Sequence, residues 1–153
     1  MKNLLLVFTL VFPMLGSLTA FAQSSPSEVL ENDFALIAGQ YTGVANTASH
    51  KFDIKAAIRV DQTIVAGMPV LQPILTGVFH ITDGSNGNAS FDFVFNAGVY
   101  DSVSHVLAFH VPGEDAAYSV DVQCLRNADE SLACEWPETS NSQGFKFTLI
   151  KNK

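Results

Sequence analysis

Two histidines and an aspartate on the polar faces of three consecutive predicted strands could lie side by side. If the intervening hairpin turns centre on Asn86 and Asp101, then Asp92 faces His80 on one neighbouring strand and His110 on the other. Adjacent strands are about 4.8 Å apart, so the three side chains would form one outward row. Two imidazoles that flank a carboxylate are suitable ligands for zinc or another divalent ion. The row is therefore a candidate metal site.

Ser119 would extend this row on the next strand. The order Asp92, His110, Ser119 is then that of a hydrolase triad. A triad also requires a cleft, an oxyanion hole and exclusion of water, none of which an open sheet face provides. A slip of two residues in either hairpin would separate the row while keeping every side chain on its face. We therefore expect solvated cross-strand charge pairs without a cofactor, and keep the metal site as the alternative.

The elements that carry these residues are predicted to be strands, because apolar and polar residues alternate along most of the chain. The clearest example is Phe52–Asp61, in which every second residue is apolar and most of the others are charged. Counting from Leu36–Val44, about eight such segments predict an all-β fold, a single antiparallel up-and-down barrel. A short helix precedes it, because Ser25-Pro26-Ser27-Glu28 is typical of a helix start, and we expect it to run to about Asp33.

Large aromatic side chains dominate the predicted inner face of the barrel. They are Phe52, Phe79, Phe91, Phe93, Phe95, Phe109, Tyr118, Trp136, Phe145 and Phe147. The interior of an eight-stranded barrel can be filled by side chains or can hold one small ligand. If a pocket remains, it is apolar and suits a lipid-like or aromatic guest. The candidate ligand contacts in the interior or at its mouth are Tyr41, Phe79, Phe93, Phe109 and Trp136.

Residues 64–74 carry no charge, although they lie where a hairpin tip is expected. If exposed, such a segment would mark a protein partner, a membrane contact or a ligand entrance. If folded across one end of the barrel, it would form a lid that buries Met68 and Leu71. These two residues therefore join the candidate ligand contacts.

The start of the chain is predicted to be an export signal. Lys2 precedes an apolar stretch, and Ala20-Phe21-Ala22 fits the small-x-small rule for cleavage, here after Ala22. Pro13 and Gly16 interrupt the stretch, which argues against a membrane anchor. We expect a protein exported to the periplasm or secreted, divided into a signal peptide, an N-terminal helical segment and a β-barrel domain at 1–22, 23–33 and 34–153.

The charge balance argues against polyanionic partners. The chain has 8 Lys and Arg against 15 Asp and Glu, and removing Lys2 with the signal leaves 7 against 15, a net charge of −8. Too little positive charge remains to neutralise phosphates, so nucleic acid is not an expected partner. A barrel embedded in a membrane is not expected either, because the predicted outward faces carry charges and several strands look short. An acidic surface would suit a basic protein.

Cys124 and Cys134 flank a turn-like stretch. In an oxidising compartment, two cysteines this close in sequence most simply form a disulfide that cross-links a hairpin. A redox or metal-binding role would call for a C-x-x-C motif or further Cys and His ligands nearby, and the sequence around them contains neither. We expect a structural disulfide.

The order of elements resembles that of the lipocalins and the wider calycin group. A short helix is followed by Gly39-Gln40-Tyr41, which stands where that family has G-x-W, and then by an eight-stranded meander. Tyr41 replaces the Trp, and only Lys146 and Lys151 lie near the place of the family's Arg on the last strand. The resemblance implies an apolar ligand in the barrel mouth. Alternatively, Gly39 and Gly43 relieve crowding where a strand bends.

Two functions are consistent with these patterns. The first is an exported non-enzymatic barrel that binds an apolar small molecule or a basic protein, as a carrier or an inhibitor would. The alternative is a divalent-metal-binding protein or metal-assisted hydrolase that uses His80, Asp92 and His110.

Overall fold

The computed structural model describes residues 26–64, 71–113, 119–139 and 144–153. One helix, α1 (Pro26–Ile37), precedes eight strands that pair in chain order, each antiparallel to the next. β1 also pairs with β8, which closes the barrel. The predicted eight-stranded up-and-down barrel with an N-terminal helix is confirmed. The strands are β1 (Gly39–Asn46), β2 (Lys51–Ile64), β3 (Leu71–Asp83), β4 (Ala89–Asp101), β5 (Val106–Val111), β6 (Val120–Arg126), β7 (Leu132–Trp136) and β8 (Phe145–Lys151).

α1 is longer than the sequence predicts, ending at Ile37 rather than near Asp33. Phe34 and Ile37 lie three residues apart on one helical face, and both belong to the barrel core. Their burial favours continuing the helix, so the first strand begins at Gly39 instead of Leu36. α1 contacts β2, β3 and β4 and lies at the end of the barrel where β1 begins, which we call the helix end.

The middle of the barrel is filled. Phe79, Phe95 and Phe109 are buried, with ring centroids 4.3 to 6.1 Å apart. Two inward glycines make room for the Phe95 ring, since a Cβ on Gly77 would lie 2.7 Å from its Cζ and one on Gly98 would lie 3.0 Å from its Cε2. Side chains of this size leave no space for a guest in this layer.

A β-bulge interrupts the pairing of β3 with β4. Gly77 pairs with Phe95 and Leu75 pairs with Gly98, so Asn96 and Ala97 together lie opposite Thr76. The extra residue reverses the alternation of inward and outward side chains along β4. Between the bulge and the helix end, Gly98 and Tyr100 are the inward residues of this strand.

Cys124 and Cys134 are disulfide-bonded and occupy directly opposed positions on β6 and β7. Both side chains are buried in the core. The predicted cross-link of this hairpin is confirmed.

Candidate functional site

A cavity of about 1020 Å³ lies at the end of the barrel opposite α1, which we call the open end. Its wall includes five aromatic side chains from four strands, and its rim includes the β1–β2 turn and the residues that follow β5. We call this cavity the cup. Among the described residues, its aromatic lining residues are Phe52, Phe91, Phe93, Trp136 and Phe145. Tyr118, which the sequence also places inside the barrel, lies outside the described residues.

The rings of the cup form a continuous wall. Phe52 stacks on Phe145 at a centroid distance of 5.3 Å, and Phe145 stacks on Trp136 at 5.8 Å. Trp136 in turn meets Phe93 edge-on at 4.9 Å. The three phenylalanines of this wall are only partly buried, with core on one side and the cup on the other. A flat or lipid-like guest would therefore meet preformed aromatic faces.

Hydrogen bonds fix one side of the rim. His50 Nδ1 lies 2.9 Å from an Asp83 carboxylate oxygen, and the other oxygen of this carboxylate accepts a bond from the Ser85 backbone N–H at 2.9 Å. The backbone N–H of Lys51 donates to Ser85 Oγ at 3.0 Å. These bonds tie the β1–β2 turn to the β3–β4 turn. The His50 ring also stacks on Phe52 at 5.7 Å, which helps to position that side chain.

The candidate ligand contacts from the sequence do not form one site. Phe93 and Trp136 line the cup, whereas Phe79 and Phe109 belong to the filled middle layer. Met68 and the Leu71 side chain lie outside the described residues, so the predicted lid stays a prediction. β2 ends at Ile64 and β3 begins at Leu71, both at the helix end, which is the opposite end of the barrel from the cup.

Tyr41 also lies at the helix end, in the core. Its hydroxyl donates a hydrogen bond of 2.6 Å to the Ile37 carbonyl at the end of α1. Burial raises the pKa of this phenol to about 12. Tyr41 thus joins α1 to β1 and has no contact with the cup.

The sequence places Phe91 inside the barrel, but its ring is 52% exposed at the edge of the cup. Conversely, the sequence places Phe52 and Phe145 in the interior but does not mark them as ligand contacts, and both line the cup. His50 carried no sequence signal beyond its place in the turn before Phe52. Its contribution depends on Asp83, which is 33 residues away in sequence.

The predicted metal row does not assemble. His80 pairs with Asp92, and the imidazole Nδ1 lies 2.6 Å from the carboxylate. His110 instead faces Asp121, with 2.8 Å between Nδ1 and a carboxylate oxygen. The second hairpin pairs Tyr100, not Phe95, with Leu107, so the register of β4 on β5 lies five residues from the predicted one. Among the described residues, no group of three or more His, Cys, Asp or Glu is placed to hold a metal ion.

Ser119 does not join the row either. Its hydroxyl accepts a hydrogen bond of 3.0 Å from the backbone N–H of Gly113, within the connection between β5 and β6. The His80–Asp92 and His110–Asp121 pairs are both exposed, as solvated cross-strand pairs would be. The predicted site at His80, Asp92 and His110 is therefore wrong as a single constellation.

The described residues that line the cup include one carboxylate, Asp92, and no Lys or Arg. An anionic head group would thus find no permanent positive charge among them, whereas an uncharged or cationic group would meet no repulsion from Lys or Arg.

In comparisons with known proteins, no family model matches the chain, and no curated protein and no solved structure is significantly similar to it. The resemblance to lipocalins therefore stays a prediction. Within the described ranges, no helix combines the length and the apolar character needed to cross a membrane.

Proposed function

We propose that this chain is an exported, non-enzymatic protein that binds an apolar or aromatic small molecule in the cup. The observation that carries the proposal is a cavity of about 1020 Å³, walled by aromatic rings and lying above a filled core. Export is inferred from the sequence of residues 1–22 alone.

The size of the cup supports a single small guest. Ligand pockets usually measure about 300 to 1,000 Å³ and are lined mainly by apolar and aromatic side chains with a few polar groups. The cup has such a volume and an aromatic wall, and its polar lining residues among those described are Thr47, Ser49, His50, Ser90, Asp92 and Thr139. Each aromatic contact with a flat guest contributes about 0.5–1.5 kcal/mol beyond the burial of apolar surface.

The metal-assisted hydrolase is not favoured, because its three residues belong to two separate exposed pairs. Neither pair has a third metal-binding residue beside it in the described part of the chain.

The test uses N-phenyl-1-naphthylamine, an uncharged aromatic dye, and follows both dye emission and the emission of the single tryptophan, Trp136. We expect saturable binding at one site per chain. Phe93→Ala and Phe145→Ala should each weaken binding about tenfold, since about 1.4 kcal/mol corresponds to that factor. Trp136→Phe should retain most of the affinity because it keeps an aromatic face.

The matched control is Val99→Ala, because this side chain is 65% exposed on the outer face of β4 and lies away from the cup. It should leave dye binding unchanged. Absence of saturable binding would overturn the proposal, as would unchanged affinity in both phenylalanine variants.

A further inference from the structure

One stretch of β4 extends past the end of its neighbour. β4 pairs with β5 from Gly98 to Asp101, and the same register carried toward the open end would place Phe95 opposite Pro112. Proline has no backbone N–H and cannot continue the ladder, so β5 ends at Val111. The part of β4 nearest the open end, residues 89–95, therefore has no part of β5 beside it. We call residues 89–95 the β4 edge.

The β4 edge is paired on one side only. Its residues pair with β3, from Ala89 opposite Asp83 to Phe95 opposite Gly77. Within the described ranges, no strand pairs with it on the other side. Its backbone N–H and C=O groups on that side are those to which an added strand would bind.

The cup reaches this edge. β2 and β3 contribute one residue each to the lining, Phe52 and Ile81, whereas β4 contributes the four consecutive residues 90–93. Successive side chains of a strand point to opposite faces, so a cavity enclosed on one face would be lined by alternate residues. Four in a row indicate that the cavity opens along the edge of the strand, beside Pro112 and Gly113.

Apolar surface is exposed along the same stretch. Phe91 is 52% exposed on the cup side, and Val94 is 48% exposed on the outer side. Asp92 lies between them, with its carboxylate 65% exposed. The edge thus combines backbone groups that no described strand pairs with, apolar side chains and one negative charge on a chain of net charge −7.

We propose that the β4 edge binds an extended peptide by strand addition, which goes beyond the small-molecule function proposed above. Alternate side chains of the peptide lie beside Phe91 and Phe93 and reach the cup, so aromatic or large apolar residues fit these positions. The residue between them lies beside Asp92, where Lys or Arg is favoured by cross-strand charge pairing. The partner is therefore a peptide in which an aromatic residue, a basic residue and another aromatic residue follow one another.

The experiment selects binders from a random nine-residue peptide library against the full folded protein. We expect enrichment of this alternation. Selected peptides are then synthesised unmodified and in two forms that are N-methylated at odd or at even positions. One methylated form should lose at least tenfold in affinity and the other should lose little, because only one set of N–H groups faces β4.

Asp92→Asn tests the charge. It should weaken the unmodified peptides severalfold, and more at low salt. Asp121→Asn is the matched control, because Asp121 on β6 forms the same kind of exposed pair with His110 on β5. It should not change peptide affinity.

Competition distinguishes this proposal from the first. Selected peptides should displace the dye, because their aromatic side chains share the cup. Strand addition is overturned if no peptide is enriched, if both methylated forms bind like the unmodified peptide, or if the peptides leave the dye in place. In each of these cases, intact dye binding keeps the small-molecule function. Peptide binding with no dye binding would overturn the small-molecule function alone.

Discussion

The two halves of this barrel use the same residue type for opposite purposes. In the middle layer, Phe79 and Phe95 are completely buried and their rings contact Phe109. Toward the open end, Phe52 and Phe145 stack on each other but are only partly buried, because the cup lies beside them. Alternation along a strand therefore determines that a phenylalanine points inward. Its position along the barrel axis determines whether the ring is packed in the core or borders the cup.

The ends differ in what covers the longest strands. At the helix end, the paired strands β2 and β3 extend beyond β1, whose pairing with β2 stops at Ile58, and α1 packs against both strands. At the open end, the β4 edge extends beyond β5, and no described element is paired with it there. A helix thus packs against the longer strands at the helix end, whereas no described element pairs with the longer strand at the end that holds the cup.

Removing one ring from each half should give the largest contrast. Phe79→Ala should lower the free energy of unfolding by about 3–5 kcal/mol, because it opens a cavity in packed surroundings. Phe93→Ala should cost about 1–2 kcal/mol, because its ring already borders open space. Urea denaturation of the two variants measures the difference, and equal losses would break the distinction between a filled and a hollow half.

Loss of the disulfide should have the next largest effect. The Cys124→Ala/Cys134→Ala double variant should lose about 2–3 kcal/mol, since the bond closes a short loop between residues 10 apart in sequence. Thermal unfolding of this variant and of the reduced native chain measures the loss, and the two should agree. If the double variant unfolds at the same midpoint as the oxidised protein, the short strands β6 and β7 hold together without the bond.

Tyr41→Phe should cost about 1–2 kcal/mol, because the Ile37 carbonyl loses its hydroxyl partner at the helix end. Dye binding in the cup should not change. The contribution of Tyr41 also depends on pH, since its folded pKa of about 12 lies above the ordinary value of 10.0. The stabilisation is complete below pH 10 and is lost as pH rises towards 12.

Unfolding measured at pH 9 and at pH 11.5 checks this dependence. The advantage of the native chain over Tyr41→Phe should shrink at the higher pH. An absorbance titration at 295 nm should also show one of the three tyrosines ionising last. A pH-independent difference would contradict the burial of this phenol.

The smallest effects compare two His–Asp pairs near the open end. His50→Ala should cost about 1 kcal/mol, because it removes a partner of the Asp83 carboxylate, which is only 7% exposed. His80→Ala should change stability by less than about 0.5 kcal/mol, since its partner is Asp92 on the exposed outer face. Chemical denaturation at pH 7 measures both losses. A larger loss for His80→Ala would contradict the conclusion that the His50–Asp83 pair, and not the His80–Asp92 pair, stabilises the open end.

The fold class was predictable because it depends on a local pattern. Alternation along Phe52–Asp61 identifies the inner face of β2, and the closeness of Cys124 and Cys134 in sequence predicts their pairing. The end of α1 was not predictable, because Phe34 and Ile37 extend the helix through contacts with strands far along the chain.

The candidate site was only partly predictable. A period of two residues shows which face a ring occupies but not its position along the barrel axis, so Phe79 and Phe93 looked alike in sequence. The metal row failed for a related reason. Alternation leaves the register of β4 on β5 open to slips of two residues, and the bulge at Asn96 and Ala97 adds one more. Tyr100 therefore lies opposite Leu107, five residues from the register that the row required.

The bulge also sets where the length of this chain can vary. Deleting Ala97 would restore strict alternation with Gly98 and Tyr100 still inward, and shortening the turn at residues 84–88 would leave both faces of β3 and β4 as they are. A deletion inside a regularly paired stretch would instead turn the inward residues on one side of it toward solvent. Homologues should therefore differ in length at their turns and between Phe95 and Gly98, and length differences confined to these places would help to recognise distant relatives when few side chains remain the same.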